Sequence, residues 1–188
     1  MAKIFIDPGH GGRDPGAVGG GMKESDLNLT VALRTKDCLL RHYRNVDVRL
    51  SRTGDDALTL AERTDMANRW GADCLLSIHF NSAGPSARGY EDYIDAGPAG
   101  AGTARFREAI HREVTGVLSI YGIPNRGMKR ADFHMTRESR MPACLVETLF
   151  LSNAADRALC RNDRFLREMA GAYARGIAAA LALDPRDA

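Results

Sequence analysis

"KIFIDPGHGG", Lys3 to Gly12, runs three bulky β-prone residues into a proline and a cluster of glycines that carries a histidine. Ile4, Phe5 and Ile6 read as a short strand, and Pro8 and Gly9 end it in a turn, so His10 falls just beyond a strand's carboxyl end. The same design recurs downstream: "VDVRLS" (Val46 to Ser51), "DCLLSIH" (Asp73 to His79), "GYEDYID" (Gly89 to Asp95), "DFHMT" (Asp132 to Thr136) and "ACLVETLF" (Ala143 to Phe150). Between these runs lie longer segments of helical period. Asp26 to Tyr43 carries Leu29, Ala32, Leu33, Leu39, Leu40 and Tyr43 on one stripe, with Ser25 placed to cap it. Leu58 to Trp70 ends at Gly71, Ala104 to Leu118 repeats Phe106, Ile110, Val114 and Val117, and Arg164 to Leu183 steps through Phe165, Met169, Ala172, Gly176 and Ala180. Strands alternating with helices predict a single α/β domain: about six strands in a mixed, mostly parallel sheet with helices on both faces. Residues 1–184 are expected to form it, and the polar "DPRDA" end to make residues 185–188 a tail or the start of a linker.

Bulk properties narrow the function classes. A chain of 188 residues with 44% apolar and 27% charged residues is ordinary for a globular protein, and its net charge of +2 does not argue for nucleic acid. The apolar stretch Ile177 to Leu183 is far short of the roughly 20 residues a membrane helix requires, so no membrane partner is expected. The first segment is interrupted by Asp7 and Pro8 and does not read as a secretory signal, which predicts synthesis in the cytoplasm. Cys38, Cys74, Cys144 and Cys160 lack metal-knuckle spacing, and Cys74 and Cys144 sit in apolar runs as small hydrophobes. The two glycine-rich loops lack the residues of a nucleotide cradle.

Open α/β sheets bind ligands at the carboxyl ends of their strands. His10, His79 and Glu147 fall there, and Glu24 closes the first glycine loop before a helix. Singly, each histidine fits a hydrogen-bonded turn and Glu24 fits a helix-dipole partner. Together, two imidazoles and a carboxylate could converge on one divalent cation, a catalytic zinc set with a fourth position left open. Glu147 interrupts "CLVETLF", where a carboxylate is costly unless paired or functional.

Five blocks in order, "IFIDPGHGGRDPGA" with Glu24 of "KES", "LSRTGDD" to Asn68, "LLSIHFNSA" and "MPACLVETLFLSN", resemble the zinc-dependent N-acetylmuramoyl-L-alanine amidases of the type-3 family. The resemblance runs from about Lys3 to the last helix. It implies one Zn²⁺ per chain on His10, Glu24 and His79, Glu147 as the catalytic glutamate, and peptidoglycan as substrate. It further implies cleavage of the amide joining muramic acid to the L-alanine of the stem peptide, through water activated by the metal with Glu147 as general base and then acid.

Other residues carry open readings. Asp7 either accepts a hydrogen bond from a ligand imidazole or caps the turn at Pro8. Asn81 either orients substrate or braces its loop, and Gly9, Gly11 and Gly12 let the backbone bend to aim His10. His134 departs from the family pattern; on an alternating strand it shares a face with Asp132 and Thr136 and is a candidate substrate or oxyanion contact. Thr148 and Leu149 stand where a glycine often follows the glutamate. His42 and His111 read as solvated, and the basic "NRGMKRADF" (Asn125 to Phe133) as a loop or a contact for acidic wall groups. A bacteriolytic phage endolysin released at host lysis, a bacterial autolysin or sporulation amidase, a noncatalytic wall-binding module and a zinc peptidase acting on free peptides are the competing classes; a monomer is expected.

Overall fold

The computed structural model describes residues 1–186, in chain order β1 (Ala2–Pro8), β2 (Val18–Gly19), β3 (Met22–Lys23), α1 (Glu24–His42), β4 (Val46–Leu50), α2 (Leu60–Trp70) and β5 (Cys74–Asn81). There follow β6 (Tyr90–Asp95), α3 (Ala101–Tyr121), β7 (Asn125–Ala131), α4 (His134–Arg137), β8 (Ala143–Phe150), α5 (Ala154–Cys160) and α6 (Asp163–Leu181). Six strands form one sheet in the order β4-β1-β5-β8-β6-β7, while β2 and β3 make a separate hairpin. Neighbours in the sheet run parallel except β6 against β8. This is the expected mixed, mostly parallel α/β domain.

Side-chain alternation along the strands divides the core in two. Ile4 and Ile6 of β1, with Leu76, Ile78 and Val146, face Val31 of α1, Ile110 of α3 and Tyr173 and Ile177 of α6. Phe5, Leu75 and Ala143 point the other way, onto Ala67 of α2 and Met135 of α4. The second face has shorter helices, 11 residues in α2 and 4 in α4. Asp7, Ser77, His79 and Glu147 share the parity of this less covered face, which is where open space can remain beside the strand ends.

Several sequence expectations shift. The fifth predicted strand, Asp132 to Thr136, is not one: the edge strand is Asn125–Ala131, and His134–Arg137 forms a single helical turn. An edge strand pairs on one side and stays half solvated, so its charged residues hide the usual apolar signal and also protect the edge from foreign strands. Ser25 does not cap α1. The helix starts at Glu24, and the orphan donors are met by backbone, Glu24 N to Ala17 O (2.9 Å) and Ser25 N to Pro15 O (3.1 Å). Pro185 and Arg186 stay attached to the domain: Pro185 bridges Tyr43 and Arg186 N donates to His42 O at 2.8 Å. The remaining two residues of the expected tail lie outside the described residues. The four cysteines are unpaired, with Cys74 and Cys144 fully buried. Among the described residues no helix is long and apolar enough to cross a membrane.

Candidate active site

The first glycine loop returns through the β2–β3 hairpin and hands the chain to α1, so Glu24 occupies the helix's first position, where the dipole favours a carboxylate. Its Oε2 accepts from Ala17 N (2.8 Å) and its Oε1 from Phe80 N (3.1 Å), which fixes the carboxylate between the loop and the end of β5. Two imidazoles meet the same oxygen. His79 Nδ1 lies 2.9 Å and His10 Nε2 3.1 Å from Glu24 Oε1. Burial would raise the Glu24 carboxyl, but the hydrogen bonds and charges of His10 and His79 hold it well below the usual carboxylate range. Burial lowers His10, yet Glu24 and Asp14 outweigh it and bring the imidazole up to about 9.

One ligand atom from each of His10, Glu24 and His79 falls within 4.8 Å of the others. Zinc ligands at about 2.0–2.1 Å in a tetrahedron stand about 3.3 Å apart, close to the two His–Glu separations. The donor set therefore fits a small divalent cation with hard and borderline ligands. The site also has an open side: a cleft of about 360 Å³ runs along His10 and His79, with Leu58, Thr59 and Leu60 in its lining.

Glu147 joins the cluster through the sheet. It lies opposite His79 in the β5–β8 register, and its Oε2 is shielded from solvent with no hydrogen-bond partner among the described residues. Burial first, then the charges of Glu24 and Glu91, push its carboxyl up to about 7 against the pull of His79 and His10. An unpartnered carboxylate oxygen with that affinity for a proton is suited to general base work near neutral pH.

The backbone that aims His10 is braced from behind by two buried arginines. Arg52 donates to Pro8 O (3.0 Å), Gly9 O (2.9 Å) and Ser25 O (2.8 Å); Arg63 donates to Pro8 O (2.9 Å) and His10 O (2.7 Å). This holds His10 in a left-handed conformation, φ +60°, that a residue with a Cβ seldom adopts. Gly9 is required for space: a Cβ there would stand 2.1 Å from His79 Cε1. Gly9→Ala is expected to displace the His79 ring and weaken zinc affinity by roughly 10–100-fold, the range seen when ligand orientation is disturbed. Competition with a chromophoric chelator measures this, and unchanged affinity would remove the close-packing argument.

Asp7 serves neither role expected of it. Its hydrogen bonds come from Ser51 Oγ (2.6 Å), Ser77 Oγ (2.8 Å) and Arg63 Nη1 (2.9 Å), none from an imidazole, because it points with Phe5 toward α2. Asp14 orients the imidazole instead: His10 Nδ1 donates to its Oδ2 at 2.7 Å, leaving Nε2 for the cluster. Burial would raise Asp7, but Arg63 and Ser51 keep it below the ordinary carboxylate value. Arg63→Ala strands that buried charge and is expected to cost about 3–5 kcal/mol in urea unfolding at neutral pH. The Asp7 contribution is present above the unfolded carboxylate pKa and is lost as pH falls through the depressed folded value, whereas the unpaired Asp7 of the variant, raised by burial, takes up a proton sooner; the gap between variant and parent therefore narrows steadily as pH falls and closes in strong acid. A gap that is small at neutral pH would show that the pair is not holding the loop.

Other candidates lie elsewhere. Asn81 braces: its Nδ2 donates to Glu91 Oε1 at 2.8 Å and its Oδ1 accepts from Ser82 N. His134 is in α4, bonded through Nε2 to Thr64 Oγ1 (3.2 Å) in a depression with Asn68, Glu138 and Arg140, and is not one of the converging donors. The expected strand alternation does not exist there. Thr148 bonds Tyr173 on α6 at 2.9 Å, so that departure from the family pattern leads into the core. His42 is exposed as expected, but His111 is half-buried: its Nδ1 donates to the buried Asp92 (2.5 Å) and its Nε2 accepts from Asn125 (2.9 Å), tying α3 to β6 and β7. Asp14, Arg52, Arg63 and the Asp92–His111 pair went unnoticed in the sequence. Asp14, Arg52 and Arg63 had a signal, since all three lie in the blocks that carry the resemblance.

The sequence profile of the N-acetylmuramoyl-L-alanine amidases matches residues 4–179. The chain belongs to this amidase family. It is 45% identical to N-acetylmuramoyl-L-alanine amidase CwlM of Bacillus licheniformis over 98% of this chain and 70% of the relative. It is 37% identical to the endolysin of Bacillus phage SPP1, over 97% of this chain and 67% of that protein. Among solved structures, the catalytic domain of the amidase CwlV from Bacillus (Paenibacillus) polymyxa var. colistinus superposes with a TM-score of 0.91 at 32% identity, covering 98% of this chain and all of that one (100%). The amidase fold and the convergence of the three donors beside Glu147 thus occur in one chain.

Proposed function

We propose that the protein is a zinc-dependent peptidoglycan hydrolase that cleaves the amide between N-acetylmuramic acid and the L-alanine of the stem peptide. One Zn²⁺ per chain is held by His10, Glu24 and His79, and residues 1–184 are the catalytic domain. The observation that carries this reading is the meeting of the three donors within 4.8 Å with an unpartnered Glu147 oxygen on the adjoining strand. A zinc ion in such a site supplies Lewis acidity, polarising a carbonyl and acidifying water toward a pKa of about 7.

The chain's own groups do the rest. Glu147 Oε2, with no donor to satisfy it, takes the proton of the attacking water, and the same carboxyl returns that proton to the departing alanine nitrogen, which leaves poorly as an anion. Asp14 keeps His10 in the tautomer that presents Nε2. Glu24, fixed by two backbone N–H groups, holds its negative charge at the site. No serine or cysteine nucleophile is needed.

The test is incubation of purified peptidoglycan with the protein, with and without a chelator, scoring new alanine amino termini and new reducing sugars. Amino termini alone, abolished by chelator and restored by zinc, support the reading. Reducing ends would identify a glycosidase, and absence of either product would favour a wall-binding module, a role that does not account for the shielded, unpartnered Oε2 of Glu147.

A further inference from the structure

Glu147 has a neighbour on its other side that the reaction leaves unused. Glu91 stands opposite it in the antiparallel β6–β8 register and is only 3% exposed. Both its oxygens are occupied: Oε1 by Asn81 Nδ2 (2.8 Å) and Tyr93 OH (2.9 Å), Oε2 by Arg126 Nε (2.7 Å) and Lys129 Nζ. Glu91 is an anchor, with no oxygen left to serve as a base. What it anchors is a pair of cations on the edge strand. A register shift between Tyr90 and Asp92 and a left-handed Gly127, φ +88°, bulge β7, and Arg126 and Lys129, three residues apart, both reach the same carboxylate.

The pair is built to receive something. Two cations against one carboxylate leave a positive charge in excess, and side-chain exposures of 35% and 36% keep both heads reachable from solvent. Arg126 spends only Nε on Glu91. Its guanidinium lies 4.8 Å from the centre of the Phe150 ring, and its two terminal nitrogens donate to no group among the described residues. A guanidinium whose plane is fixed and whose fork is free matches a carboxylate in two parallel hydrogen bonds. Position selects which carboxylate. From β8 to β7 is two strand spacings, about 10 Å, and an extended peptide covers about 3.4 Å per residue.

We propose that Arg126 and Lys129 form a carboxylate subsite for the peptide arm of the substrate, engaging the second or third residue beyond the scissile amide. This rests on the amidase reading and deepens it: the enzyme selects arms that carry a free acid there, and Glu91 positions the two cations.

Two soluble muropeptides, identical except that the carboxylates of the second and third arm residues are free or amidated, test this with the zinc-loaded protein. The expected KM for the free acid is lower by about tenfold or more, the worth of a charge-assisted hydrogen bond pair. In Arg126→Gln/Lys129→Gln the ratio of the two KM values collapses toward one, whereas Arg126→Lys keeps most of it. Misfolding or a disturbed Glu147 would slow both substrates together and leave the ratio intact. Equal KM values in the parent protein, or a ratio preserved in the double variant, would overturn the subsite. If the parent cleaves neither compound the amidase reading fails, and calorimetric titration of the same two compounds decides the subsite separately.

Discussion

Zinc-loaded Glu147→Gln protein should release alanine amino termini from peptidoglycan about 10²–10⁴-fold more slowly than its parent, the usual contribution of a positioned proton-transfer group. The substitution is nearly isosteric. It removes a titrating oxygen that receives no hydrogen bond, so little of the structure depends on it, and the three donors of the metal cluster come from other elements. Zinc content and thermal unfolding should therefore stay close to the parent's. A variant that retains a tenth or more of the parental turnover would show that another group moves the proton, and the assignment of Glu147 would be dropped.

The second large effect concerns the cluster itself. His10→Ala should weaken zinc binding by more than 100-fold, since losses of 10–100-fold already follow from disturbing only the partners of a ligand, and activity should vanish with the metal. The fold should survive. The His10 side chain is 26% exposed and touches Asp14 and Glu24, while the backbone around it is held by Arg63 and Arg52 through carbonyls that the substitution leaves in place. The metal-free parent and the variant should share one far-ultraviolet circular dichroism spectrum. Full zinc stoichiometry at micromolar metal in the variant would exclude His10 as a ligand.

The largest elements were legible because their signals are local. "KIFID", "DCLLSIH" and "ACLVETLF" are buried along most of their length, and such burial leaves a largely apolar run in the sequence that only a few polar residues interrupt. The long helices show their apolar stripes, and their ends moved by only a few residues. The edge strand did not announce itself, since one flank is solvated and Arg126, Lys129 and Arg130 are tolerated there, while the apolar "DFHMT" beside it packs Met135 as part of a helical turn. His111 misled for a related reason: its partner Asp92 is in another element, and a histidine's neighbours along its own helix say nothing about it.

The sequence alone determined the α/β architecture, the candidate donors His10, Glu24 and His79, and the oddity of a carboxylate at Glu147, because residue type and periodicity record how deeply each segment is buried. Tertiary structure decided the pairings: Asp14 in place of Asp7 as the partner of His10, Arg63 as the counter-charge of Asp7, and Glu91 with Arg126 and Lys129 on the far flank of Glu147. These depend on strand order and on which side of the sheet each residue faces. A shift of one residue in register reverses every side chain, and that parity is settled only when distant segments pack together.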